Sequence, residues 1–139
     1  MSKFFNKKSH ISILIPVINA VNNIEILQQN KDIDTIVVPI GGGGLITGIA
    51  VAAKSKKPGI RVIGVQTEAC PAMIKSYEDN TFYEEYPGEE SICDALVGGI
   101  GKLSYDLAKD YVDDFIAVSE ESIAKAVSFM AKKGYRLLC

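Results

Sequence analysis

The chain has 139 residues, enough for one domain with a sizeable core, and its 47% hydrophobic and 23% charged content is that of a globular protein. A net charge of −2, with no Lys/Arg run longer than a pair, argues against nucleic acid as a partner. One histidine and three scattered cysteines without C-x-x-C spacing leave almost no ligands for zinc, and unpaired thiols fit a reducing compartment, the cytosol.

Lys3, Lys7 and Lys8 precede an apolar run, residues 11–18, in the layout of a secretion signal. Pro16 interrupts the run, Asn19, Asn22 and Asn23 end it, and no A-x-A box follows, although Ala20 could close one. The run is therefore read as an ordinary buried segment, and no apolar stretch is long enough for a membrane span. Residues 19–29 read as a helix, with Val21, Ile24, Leu27 and Gln28 at helical spacing.

Residues 35–39 form an apolar strand that runs straight into Gly41, Gly42, Gly43 and Gly44. A helix over 45–57 follows, with Ile46, Ile49, Ala50 and Ala53 on its apolar face. Lys54, Lys56 and Lys57 close it as solvent-exposed partners of the helix dipole, and Pro58-Gly59 stops it. Residues 61–67 are the next strand, so 35–67 is one β-α-β unit, expected to be parallel with a right-handed crossover. Pro71 opens a short helix, 72–77, and the acidic stretch 78–91 reads as a solvated loop. The apolar segment 92–101, with its paired glycines, leads into a helix over 104–112 and a third strand, 115–118. Ser119 is the expected N-cap of a last helix, with Glu120 and Glu121 in its first turn and Ile123, Val127 and Met130 at helical spacing. Alternating strands and helices specify an α/β domain, a parallel sheet flanked by helices. Its ligand edge lies at the carboxyl ends of the strands, where the glycines and Gln66-Thr67-Glu68 both fall.

The glycine corner is built for a phosphate. Without Cβ atoms, successive N–H groups can face one concavity, and the helix start adds unpaired donors and a positive dipole end. The dinucleotide fingerprint fails, because Ile46 or Thr47 occupies the third glycine position. The P-loop pattern fails at Ile49 and Ala50, where Lys and Ser/Thr are required. A single monoester phosphate is therefore expected rather than a nucleotide.

The segments IVVPIGGGGLITGIA, RVIGVQTEACPAM, SICDALVGGIG and YVDDFIAVSEESI resemble, in unbroken order over residues 24–133, the pyridoxal-phosphate-dependent threonine and serine dehydratases. These belong to the tryptophan-synthase-β fold type (fold type II), which includes serine racemase. The resemblance implies a partial large domain of such an enzyme, with residues 1–23 and 134–139 outside the match. It implies pyridoxal phosphate as cofactor, its phosphate held by Gly41, Gly42, Gly43, Gly44 and Leu45. It also implies a β-elimination turning L-threonine or L-serine into a 2-oxo acid and ammonia, in a cytoplasmic homo-oligomer acting on a small amino acid, with no nucleic-acid or membrane partner.

The lysine that holds the cofactor as a Schiff base belongs to a Ser-x-Lys-x-Arg segment that these residues do not match, so no catalytic residue is assigned and the chain alone is expected to be inactive. Gln66 and Ala72 stand where metal-binding relatives carry glutamate and aspartate, and no metal site is assigned. Ala95 stands where relatives often carry glycine beside the cofactor ring. Asp94 and Glu68 are read as caps or surface charges, and Cys70 and Cys93 as packed thiols. Two other readings compete with this one: a non-catalytic phosphate- or effector-binding module derived from the same fold, and a dinucleotide-binding domain using Glu68, against which the failed fingerprint counts.

Overall fold

The computed structural model describes residues 10–13 and 31–133. The helix expected over 19–29 lies outside these residues. Four strands form one parallel sheet in the order β1 (His10–Ile13), β2 (Ile33–Pro39), β3 (Arg61–Thr67) and β4 (Asp114–Val118). Among the described residues the helices are α1 (Gly44–Lys56), α2 (Ala72–Glu78), α3 (Lys102–Tyr111) and α4 (Glu120–Lys132), with a 3-10 turn at Asp94–Leu96. Among the described residues, no helix is long and apolar enough to cross a membrane.

The β-α-β unit is as expected: β2 and β3 are adjacent and parallel, with Thr35 opposite Arg61 and Pro39 opposite Val65. The sheet has one strand more than expected, because residues 10–13 pair with β2 along its outer edge. Strand β2 itself starts two residues early, at Ile33, where it meets His10.

One core explains the pattern. Ile36, Val38 and Val62 of the sheet pack with Ile46, Ile49, Ala50 and Ala53 of α1, the four residues assigned to that helix's inner face. Each fully buried isoleucine or valine contributes about 1.5–3 kcal/mol relative to exposure. Helix α1 ends at Lys56, with Pro58-Gly59 beyond it, and packs against α3.

The lysines at the end of α1 do more than face solvent. Lys54 Nζ reaches Asp113 Oδ1 at 2.8 Å and the Ile60 carbonyl at 3.2 Å. Asp113 Oδ2 meanwhile accepts the Val62 N–H at 2.7 Å, tying α1, β3 and the start of β4 together. Lys57 Nζ donates to the carbonyls of Lys31 and Ile33. Of the three, only Lys56 is exposed, as was expected of them all. The reason is geometric: their aliphatic stems let the ammonium groups reach back over the strand ends.

The acidic stretch 78–91 is largely exposed, yet its backbone is docked. Ile100 N–H donates to the Tyr83 carbonyl at 3.2 Å, and Glu89 N–H to that of Ala69 at 2.8 Å. A Cβ on Gly99 would fall 1.6 Å from the Glu84 carbonyl oxygen, so the glycine at this position is what admits the loop.

Candidate cofactor site

Helix α1 begins at Gly44, after an N-cap, Gly43, held in the left-handed region at φ +87°. A Cβ at Gly43 would lie 2.7 Å from both Met73 Cε and Ser104 Cβ, so α2 and α3 close the corner from beneath. At Gly41 a Cβ would lie 3.3 Å from the Leu96 Cα and side chain, so the 3-10 turn forms a wall. Among the described residues the opposite side is open: a Cβ on Gly44 meets nothing within 4 Å.

The polar groups sort by sign. Carbonyl oxygens would repel an anion, and those of Gly42 and Gly43 are engaged by the protein. Gly101 N–H donates to the Gly42 carbonyl at 3.0 Å, and the Gly43 carbonyl accepts from Thr47 N–H at 3.1 Å and Thr47 Oγ1 at 2.9 Å. That Thr47 bond is the first i to i−4 bond of α1, so the N–H groups of Gly44, Leu45 and Ile46 have no intrahelical acceptor. Among the described residues no side chain caps them, and no acidic residue occupies the first turn. Donors, dipole and open space therefore coincide, and the residues present fit a phosphate monoester.

Ile40 N–H donates to the Val65 carbonyl and Glu68 N–H to that of Val118, which carries the ladder past the strand ends and fixes this edge. Gln66, 2% exposed, faces the same edge but is committed elsewhere: its Oε1 accepts from Met73 N–H at 2.9 Å and Ile74 N–H at 3.1 Å. It caps α2 across space and so holds Met73 under the glycine corner. Ala72 is fully buried beside it.

Glu68 and Asp94 are exposed, and Asp94 Oδ1 accepts the Ala95 N–H at 2.8 Å as a local cap. Cys70 is buried, its sulfur bracketed by the Gly98 N–H at 3.2 Å and carbonyl at 3.4 Å. Burial and the Glu120 carboxylate push the Cys93 thiol above its usual range, which keeps it protonated. Cys70 is thus packed in the core, whereas Cys93 is only partly buried.

Met73, Leu96, Gly101 and Ser104 around the corner were not legible as site residues. Each is ordinary in its own segment, and only the tertiary crossing of α2, the 3-10 turn and α3 brings them to the glycines. Glu120 is another: its carboxylate accepts from Thr67 Oγ1, from Ser91 Oγ at 2.8 Å and from Ile92 N–H at 2.9 Å.

Residues 19–138 match the family model described as pyridoxal-phosphate dependent enzyme. The chain is 43% identical over 111 residues to an L-threonine ammonia-lyase of Thermotoga maritima, covering 79% of this chain and 27% of that protein. It is 42% identical over 106 residues to the catabolic L-threonine dehydratase of Escherichia coli K12, covering 75% and 32%. Maize serine racemase superposes with a TM-score of 0.75 at 34% identity, over 81% of this chain and 35% of that one. The processed threonine deaminase isoform 2 of Solanum lycopersicum gives 0.77 at 26% identity, over 86% and 35%. The chain thus spans about a third of the length of the relatives it matches.

Proposed function

The chain belongs to the pyridoxal-phosphate dependent enzymes, and from that membership we propose that it is the phosphate-seating part of a threonine or serine ammonia-lyase. Gly41, Gly42, Gly43, Gly44 and Leu45 would hold the cofactor's phosphate through their N–H groups. The observation that carries the reading is the first turn of α1: among the described residues its donors have no partner and no acid competes there, and both nearby carbonyls are turned into protein bonds. The whole enzyme would convert L-threonine, the substrate in the names of two relatives, or L-serine to a 2-oxo acid and ammonia. A cytosolic location and self-association of that enzyme belong to the same proposal, and the free thiols of Cys70 and Cys93 suit it.

Bound pyridoxal phosphate supplies an electron sink for the elimination. The residues of this chain orient it. Gly43 turns the backbone so that the first turn of α1 faces the ligand edge of the sheet, and Thr47 locks that turn through the Gly43 carbonyl. Met73 and Ser104 fill the space beneath the corner and exclude water from it. Ala95 and Leu96 stand beside Gly41 and limit sideways motion of whatever the corner holds.

The test is equilibrium binding of pyridoxal phosphate and of pyridoxal, with inorganic phosphate as competitor. Loss of the phosphate removes several charge-assisted bonds, so pyridoxal should bind about tenfold more weakly or worse, and phosphate should displace the cofactor. Equal binding of the two aldehydes, unaffected by phosphate, would show adventitious attachment to surface lysines and contradict the proposal.

A further inference from the structure

Helix α4 opens with two glutamates that do different things. Glu121 is exposed and pairs with Lys125 one turn along. Glu120 points back over the sheet edge, where both of its oxygens are used by segments remote in sequence. Thr67 Oγ1, at the end of β3, and Ser91 Oγ donate to Oε1, and the Ile92 N–H donates to Oε2. Among the described residues no cation pairs with it, so the carboxylate is held by neutral donors alone. Either glutamate could serve the helix dipole; only Glu120 gathers the loop.

From this anchor the chain runs directly to the glycine corner. Ser91 Oγ accepts the Cys93 N–H at 3.0 Å, and the Cys93 carbonyl accepts the Leu96 N–H at 2.8 Å. Leu96 Cα then lies 3.3 Å from the place a Gly41 Cβ would take. Burial does not hold the early part of this loop: Ile92 is 58% exposed and Asp94 is exposed too. The far end is fixed separately, by Gly101 N–H on the Gly42 carbonyl and by Cys70 on Gly98. Polar anchoring is thus the means by which residues 91–94 keep the wall in place.

We infer that Glu120 is a positioning residue for the phosphate corner, acting through residues 91–96 to hold Ala95 and Leu96 against Gly41. The inference rests on the phosphate reading above. The hydrogen bonds from Thr67, Ile92 and Ser91 also hold the Glu120 carboxyl below its usual range, as expected of an acceptor that serves in its ionised form.

The test titrates inorganic phosphate into the unmodified chain and into E120A, E120Q, S91A and E121Q, recording amide shifts and denaturant midpoints. Removing a charged acceptor should weaken phosphate binding about tenfold in E120A, less in E120Q, and several-fold in S91A, while E121Q binds as the unmodified chain does. Without ligand, the amides of Gly41 and of residues 94–97 should already shift in E120A. If E120A does not fold, S91A decides the matter, since it loosens the loop and leaves α4 its carboxylate. Folded E120A or S91A with unchanged phosphate affinity and only a lower midpoint would overturn the inference and leave Glu120 a stabilising contact. If the unmodified chain fails to bind phosphate while the ligand-free shifts appear, the phosphate reading falls and the anchoring of the loop stands.

Discussion

Gly43→Val is expected to abolish phosphate binding and to lower stability by about 3 kcal/mol or more. Two costs add. The left-handed backbone at φ +87° costs a residue with a Cβ about 1–2 kcal/mol, and a branched one more. The added carbon would also lie 2.7 Å from Met73 Cε and Ser104 Cβ, and overpacking of this kind costs about 1–3 kcal/mol. Gly44→Ala is the matched control, because its Cβ meets nothing within 4 Å and its position is helical. Alanine there should leave the unfolding midpoint unchanged or raise it slightly. Urea denaturation of both variants makes the comparison. Equal midpoints for Gly43→Val and the unmodified chain would contradict the described corner.

The 139 residues alone, supplied with pyridoxal phosphate and L-threonine, are expected to release no 2-oxobutyrate above the buffer rate. Elimination needs an amine or other base within hydrogen-bond reach of the reacting carbon, and the paired lysines of this chain are held elsewhere. Lys54 and Lys57 lie at the far end of α1, about 18 Å from its start at the helical rise of 1.5 Å per residue. Both are committed there, Lys54 to Asp113 and Lys57 to backbone carbonyls. Lys75 pairs with Glu78, Lys102 with Asp106 and Lys125 with Glu121. Burial, with Tyr105 and Asp106 nearby, pushes the Tyr77 hydroxyl up to about 12, and its proton is donated to the Tyr105 carbonyl. Sustained turnover removed by a single Lys→Ala substitution would overturn the expectation and reveal a catalytic lysine within this chain. A yellow protein without turnover would not, since exposed lysines take up aldehydes reversibly.

Elements whose signals are local were legible. Period and stop signals placed α1 within a residue of its observed ends, Ser119 caps α4 through the Ser122 N–H, and β3 spans the expected residues. Strand β1 was not legible because four residues, His10–Ile13, carry too short a pattern to tell a strand from any other buried apolar segment. Helix α3 starts two residues before its expected first residue, Ser104, since Gly101 serves as its N-cap while donating to Gly42, a tertiary bond. The strand–glycine–helix corner was readable from four adjacent glycines between two patterned segments. Its floor and wall were not, because Met73, Leu96 and Ser104 reach it through a crossing of three segments that no spacing encodes. Gly64 makes the same point inside the core: a Cβ there would fall 2.3 Å from Ile40 Cδ1, yet its sequence context is that of any strand residue.

The most direct measurement is a titration of the nitrogen-labelled chain with pyridoxal phosphate, following every assigned backbone amide. The largest shifts are expected on Gly41, Gly42, Gly43, Gly44 and Leu45, with smaller ones at Ala95 and Leu96, and inorganic phosphate should reproduce the pattern at the glycines. Shifts concentrated on the exposed lysines, or scattered without preference for the start of α1, would contradict it.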